Sequence, residues 1–349
     1  MAPFSELPTA DQPRGTVILT GANGGLGASF VTKFLASPHA QGNLLLGTVR
    51  DPARHPELEA ELRQSNGRGR LVALDLGTLE ATRAFAASII AQVQAGTLPP
   101  IRLLVLNAAV QDNFGQHFTS DGFERTFAVN YLASFVLVLL LLPVFAKDGG
   151  RVVFVGSFVH DPALRINANF KPPKEAFTEE GIERWARPKA DAKGDEWNSG
   201  MRRYGASKLA GLMLMYELQR RLTAGGSSVS LLTVDPGGMP TTTMASNQAN
   251  MLTSFVVKYV LGYLIMPIMM AFNSRNSFLR STSKSARDLL YAGFDTKTFG
   301  THPEAVTLDG CVLNVTSEES RDEAKQGRLW RESVRLAGVR REETIVELG

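Results

Sequence analysis

Short β-rich apolar runs alternate along this chain with longer stretches in which apolar residues recur at helical spacing. "TVILTG" leads into a helical "ASFVTKFLAS", and "NLLLGTVR" follows. "RLVALDL" is followed by a helical "LEATRAFAASIIAQVQ", then by "IRLLVLNAA" and a long helix around "FERTFAVNYLASFVLVLLLL". "GRVVFVGS" reads as a fifth strand. The helical "YGASKLAGLMLMYELQRRL" precedes "SVSLLTVDPGG", a sixth strand, and "GCVLNVTS" offers a seventh. Strands that are apolar throughout belong to a parallel sheet covered on both faces. Right-handed crossovers wind such a sheet doubly, so a single Rossmann-type α/β domain is predicted. It spans residues 15–340, with a loose leader at 1–14 and a tail at 341–349.

One segment breaks the rhythm. Residues 158–203 are rich in Pro, Lys, Glu and Asn but carry Phe170, Phe177, Trp185 and Trp197, which predicts an insertion that folds over apolar material. Two apolar runs invite a membrane test. Residues 135–145 are too few to span and contain Pro143, so they read as a buried helix end. Residues 251–272 are long enough, but Lys258, Gly262 and Pro267 interrupt them, which favours a surface-lying or substrate-facing helix over a span.

Composition narrows the classes further. The 349 residues are 44% hydrophobic and 20% charged, as expected of a globular chain with a sizeable core. Basic residues number 37 against 34 acidic, and no dense Lys/Arg block stands out, so no nucleic-acid partner is expected. A single cysteine, Cys311, excludes an internal disulfide and fits a reducing, cytoplasmic location. The histidines at 39, 55, 117, 160 and 302 have no Cys/His spacing of metal-site type, so no metal is expected.

Candidate chemistry begins at "ILTGANGGLG". A glycine-rich turn between a first strand and a first helix is where a dinucleotide pyrophosphate binds, because glycine lets the backbone approach and the helix N-terminus presents free N–H groups. The spacing is Thr20-Gly21-x-x-x-Gly25-x-Gly27. That spacing resembles the short-chain dehydrogenase/reductase family, and marks in that family's order extend from residue 15 to about 338. The resemblance implies cofactor contacts from Thr20, Gly21, Asn23, Gly25, Leu26 and Gly27; Gly24 falls outside the spacing. Arg50, at the tip of the second strand, suits a ribose 2′-phosphate and points to NADP(H), while Asp51 is expected to point elsewhere. Asp75 and Leu76 occupy the family's adenine-side position. Asn107, Ala108 and Ala109 resemble its stretch after the fourth strand, and Pro236, Gly237 and Thr241 its segment over the nicotinamide.

Tyr204 and Lys208 lie four apart at the start of a predicted helix, so they share a face. An adjacent ammonium is expected to lower the phenol toward working pH. The resemblance adds Ser157, which orients a substrate carbonyl, and Asn130, which holds a water beside the lysine. The 47 positions between Ser157 and Tyr204 exceed the family's compact form and resemble its elongated members. "RSTSKSARDLLYAGF" and "GRLWRESVRLAG" resemble segments of retinol dehydrogenase-like and fungal secondary-metabolism reductases.

Together these imply reduction of a carbonyl, with Tyr204 as proton donor. The insertion, and an apolar segment at 240–282 that includes Met251, Met266, Met269 and Met270, are expected to wall a large pocket for a bulky lipophilic or polycyclic ketone or alcohol. An NAD-dependent alcohol dehydrogenase or C=C reductase stays open, as does a non-catalytic dinucleotide sensor. A peripheral membrane contact through 251–272 and a homodimer are left open as partners. Ser157 lacks the second glycine of G-x-S-x-G, which sets a serine hydrolase aside.

Overall fold

The computed structural model describes residues 14–64, 67–170, 176–191, 193–242 and 254–349. Eight strands form one sheet in the order β3-β2-β1-β4-β5-β6-β7-β8. They are β1 (Gly15–Leu19), β2 (Asn43–Val49), β3 (Gly69–Ala73), β4 (Ile101–Leu106), β5 (Arg151–Val155), β6 (Ser230–Asp235), β7 (Val306–Asp309) and β8 (Val312–Leu313). All pairings are parallel except that of β8 with β7. The expected doubly wound α/β sheet is therefore present, with one difference at its far edge. The parallel seventh strand is "VTLD", whose half-exposed alternation hid it among loop residues. "GCVLNVTS" holds instead the two-residue antiparallel strand β8.

Two helical layers cover the sheet. On one face lie α1 (Gly25–Leu35) and α8 (Thr282–Phe294), which enclose Val17, Leu19, Phe30, Phe34 and Leu289. On the other lie α3 (Leu79–Gln94), α4 (Arg125–Val144) and α6 (Glu196–Ala224), with α9 (Glu323–Ala337) outside them. Two shorter helices, α2 (Pro56–Gln64) and α5 (Glu179–Ala186), lie at the periphery, and α7 (Val256–Phe272) is apolar and exposed. The core of α4 from Ala133 to Leu141 is buried on every side, as expected for the 135–145 run, because the sheet is beneath it and other helices flank it.

The insertion differs from a cover over the sheet's edge. Its last residues, from Glu196, are the first turns of α6, so Tyr204 stands in mid-helix rather than at a helix start. Its middle is α5, capped by Thr178, whose hydroxyl accepts from Gly181 N at 3.0 Å. Trp185 on α5 packs among Phe127, Tyr131 and Phe177, with the Phe127 ring 4.7 Å away. Trp185 thus packs against the helix-layer core, and it also lines a cavity beside Gln116, Arg202 and Ala206. Trp197 is half-exposed against Phe114. Arg203 ties the insertion down, donating to Asp191 at 2.6 Å and pairing with the fully buried Glu124 at 3.3 Å. Residues 341–349, expected as a tail, also pack: Val346 is buried, and Trp330 Nε1 donates to Leu348 O at 3.0 Å. Met251, the leader's residues 1–13, and parts of the 158–203 and 240–282 segments lie outside the described residues.

Candidate active site

At the carboxyl ends of β1 and β4, where strand order reverses, the chain makes its glycine turn. Gly21 has φ +68°, and a Cβ there would meet Ala108 Cα at 3.0 Å, so only glycine fits the turn. Gly27 is packed harder still, since its Cβ would lie 2.2 Å from Gly21 O. Thr20 and Asn107 clasp the two strand ends. Thr20 Oγ1 accepts from Asn107 N at 2.9 Å and Ala108 N at 3.0 Å, and Asn107 Nδ2 donates to Thr20 O at 2.8 Å and Gly21 O at 3.1 Å. Both side chains therefore shape the turn; only the backbone around them is left for a ligand.

Gly24, without a task in the sequence spacing, is the N-cap of α1. No side chain caps that helix and no acid stands in its first turn, so its leading N–H groups and positive dipole end are available to an anion. Gly25 is exposed, and a Cβ there would meet Thr242 Cγ2 at 2.9 Å. Thr242 thus lies over the turn, one residue past the expected Thr241, which packs instead against Gly262. Leu26 is buried in the core behind the turn. Asn23 is exposed, with Nδ2 3.2 Å from His55 Nε2.

Arg50 follows β2 directly, is exposed and forms no ion pair or side-chain hydrogen bond among the described residues. Asp51 does point elsewhere: its Oδ1 accepts from Ala53 N at 3.0 Å and caps a short 3-10 turn. Asp75 is exposed and accepts from Gly77 N at 2.8 Å, while Leu76 is buried. The cradle, the uncapped helix end and the free guanidinium fit a dinucleotide bearing an extra phosphate.

The four candidate catalytic residues converge beside this turn. Ser157 ends the extension of β5; its Oγ accepts from Val159 N at 3.4 Å, and its hydroxyl stands near enough to the Tyr204 phenol to favour the phenolate. Lys208 is 2% exposed; its Nζ donates to Val155 O at 2.8 Å and lies 5.6 Å from the Tyr204 ring centroid. The expected lowering of the tyrosine is reversed here. Burial pushes the Tyr204 phenol up, the Asp235 carboxyl adds to that rise, and the nearby Ser157 hydroxyl opposes it. Burial also brings Lys208 down to about 8. Burial of the phenol is the physical reason, and it outweighs the nearby Lys208 ammonium, which is held by Val155 O.

Asn130 lies in a single π-type turn, Ala128–Leu132, inside α4. Its amide is saturated: Oδ1 accepts from Val110 N at 2.8 Å, and Nδ2 donates to Val110 O at 2.9 Å and Ser207 Oγ at 3.0 Å. Ser207 in turn donates to Tyr204 O at 2.7 Å, so Asn130 links the strand after β4 to the tyrosine helix. Its side chain is a fastener between those two elements.

Several supports had no sequence signal strong enough to single them out. His160 Nδ1 sits 2.6 Å from Ser157 O and holds that turn. Asp235 Oδ1 accepts from Gly237 N at 2.8 Å, and burial raises its carboxyl to about 6. Arg280, 1% exposed, donates to Asp235 O at 2.8 Å and pairs with Asp309, bracing the turn at Pro236 and Gly237, where Gly237 has φ +71°. The Asp immediately before "PGG" was the only visible hint of this network.

Comparison with known proteins agrees with this geometry. The family model for short chain dehydrogenases matches residues 15–170. Short-chain dehydrogenase iccH of Talaromyces variabilis is 34% identical, over 96% of this chain and 98% of that protein. Retinol dehydrogenase 13 of Mus musculus is 28% identical, over 94% of this chain and 85% of that protein. Among solved structures, an uncharacterised protein from Mycobacterium paratuberculosis superposes with a TM-score of 0.62 at 25% identity, covering 95% of this chain and 98% of that one.

Proposed function

Because the chain belongs to the short-chain dehydrogenase family, of retinol dehydrogenase-like type, we propose that it is an NADP(H)-dependent reductase of a bulky lipophilic ketone. The observation that carries this reading is the gathering of Ser157, Tyr204 and the buried Lys208 beside an uncapped helix end. The first N–H groups of α1 would hold the phosphates and Arg50 the 2′-phosphate; a bound nicotinamide supplies hydride chemistry.

The chain's own residues handle the proton. Tyr204 stays protonated at neutral pH and is poised to donate its proton to a developing alkoxide. Ser157 Oγ, beside the phenol, holds the same oxygen and fixes its angle of approach. The Lys208 ammonium stabilises the phenolate left behind, and Asp235 raises that ammonium's affinity for its proton. Asn130 positions the tyrosine helix through Ser207. A donor that keeps its proton in the resting state supports the reducing direction. A lipophilic substrate is favoured by the rings of Phe158 and Phe278, 4.8 Å apart beside Ser157, and by retinol, the lipophilic alcohol named for one relative.

The test is cofactor oxidation across a panel of lipophilic ketones, with NADPH and NADH in parallel. NADPH should support turnover of bulky members, and Tyr204→Phe should abolish it while NADPH still binds. Turnover undiminished in Tyr204→Phe would overturn the assignment.

A further inference from the structure

The helix α7 presents an apolar outer face that nothing in the catalytic site uses. Its inner side sits on the segment over the cofactor turn: a Cβ at Gly262 would meet Thr241 Cγ2 at 2.9 Å and Pro240 Cγ at 3.7 Å, and Met266 is buried. Two rows at four-residue spacing face outward. One runs through Phe255, Tyr259 and Tyr263, with ring centroids 4.8 and 5.9 Å apart. The other runs through Val256, Leu264, Ile268 and Phe272, and Phe272 is 90% exposed. At about 200 Å² per aromatic side chain, the four rings alone expose on the order of 500 Å². The aliphatic neighbours carry the patch past the roughly 300–600 Å² of the largest patch on an ordinary monomer.

Charge on this part of the chain is one-sided. Between Asp235 and Asp288 there is no Asp or Glu at all, although 34 of the 349 residues are acidic. Lys258 and Arg275 flank the patch, and neither forms an ion pair among the described residues; Lys258 lies only over the Tyr259 ring. Among the described residues this apolar helix is interrupted by Lys258 and Pro267, and its Gly262 and Met266 are buried against the fold, so it lies on the protein rather than crossing hydrocarbon. A second copy meeting this face by two-fold symmetry would set Lys258 and Arg275 against themselves, with no Asp or Glu between residues 236 and 287 to answer them.

We propose that α7 seats the protein on an anionic lipid bilayer. It lies in the plane of the interface, with its aromatic row at the headgroup–acyl boundary and Lys258 and Arg275 among the headgroups. Since the inner face of the same helix rests on Pro240 and Thr241, the seat opens toward the catalytic cleft. Docking does not depend on which reaction is catalysed.

The experiment is co-sedimentation of the full chain with vesicles of phosphatidylcholine, alone or with about one-fifth phosphatidylserine. The wild type should bind the mixed vesicles, and more weakly at high salt. Tyr259→Ser/Tyr263→Ser/Phe272→Ser should lose binding by about tenfold or more with an unchanged melting temperature. Lys258→Glu, which leaves the apolar rows intact, should weaken binding to the mixed vesicles alone, by about fivefold or more per unit of charge. Failure of the wild type to sediment with either vesicle overturns the proposal. So does undiminished binding by both variants, or a vesicle-free dimer that the triple variant splits. None of these outcomes touches the Tyr204 assay.

Discussion

Two glycines three positions apart should respond oppositely to the same added methyl group. At Gly27 a Cβ would stand 2.2 Å from Gly21 O and 3.0 Å from Ala22 Cα, both backbone atoms with no rotamer to change. Relieving that contact requires the start of α1 and the glycine turn to part by about 1 Å, and overpacking of this kind costs about 1–3 kcal/mol. The roughly 1 kcal/mol that alanine gains over glycine inside a helix offsets only part of it. The larger effect is on binding, because the parted backbone no longer aims its N–H groups at one point. Each charge-assisted hydrogen bond lost costs about 1.5–3 kcal/mol, or roughly ten- to a hundredfold in Kd. At Gly24 the nearest atom to a Cβ is 3.5 Å away and φ is −72°, so alanine fits. There the weaker N-cap and the stiffer unfolded chain nearly cancel, leaving a change within about 1 kcal/mol. The assay is NADPH fluorescence titration with thermal melting of Gly24→Ala and Gly27→Ala. Gly27→Ala should lower the melting temperature and weaken NADPH; Gly24→Ala should do neither. Equal NADPH affinity in the two variants would refute the argument that the cradle is built by packing against Gly21.

Other consequences follow from the same geometry. Arg50→Ala should raise KM for NADPH by about tenfold or more and leave NADH unchanged, since the guanidinium has no structural partner to lose; parallel kinetics with both cofactors measure it. Carbonyl reduction should hold level through neutral pH and fall as pH rises through about 8, where Lys208 loses the charge that stabilises the phenolate. The Lys208 value in the fold lies below that of a free lysine, so folding releases a proton between about 8 and 10.5; denaturation series across that window should show stability rising with pH from this residue. Trp185→Ala should lower the melting temperature by an amount equivalent to about 2 kcal/mol or more, for loss of a large ring from the Phe127–Tyr131–Phe177 cluster. Its KM for small ketones should stay unchanged in steady-state assays.

The alternation of apolar runs and helical patterns was enough to establish the parallel, doubly wound sheet, because strands buried on both faces have no other explanation. Local spacing singled out Gly21, Gly25, Gly27, Tyr204 and Lys208, and the family resemblance added Ser157. Tertiary structure decided what depends on partners distant in sequence. It made Thr20 and Asn107 a clasp across 87 positions, buried Tyr204 so that its phenol rises, and set Arg280 against Asp235 and Asp309. It also packed Trp185, from a polar segment, against the core and left the far more apolar α7 exposed. Hydrophobicity records that a residue prefers to leave water; which surface receives it is a matter of how the whole chain packs.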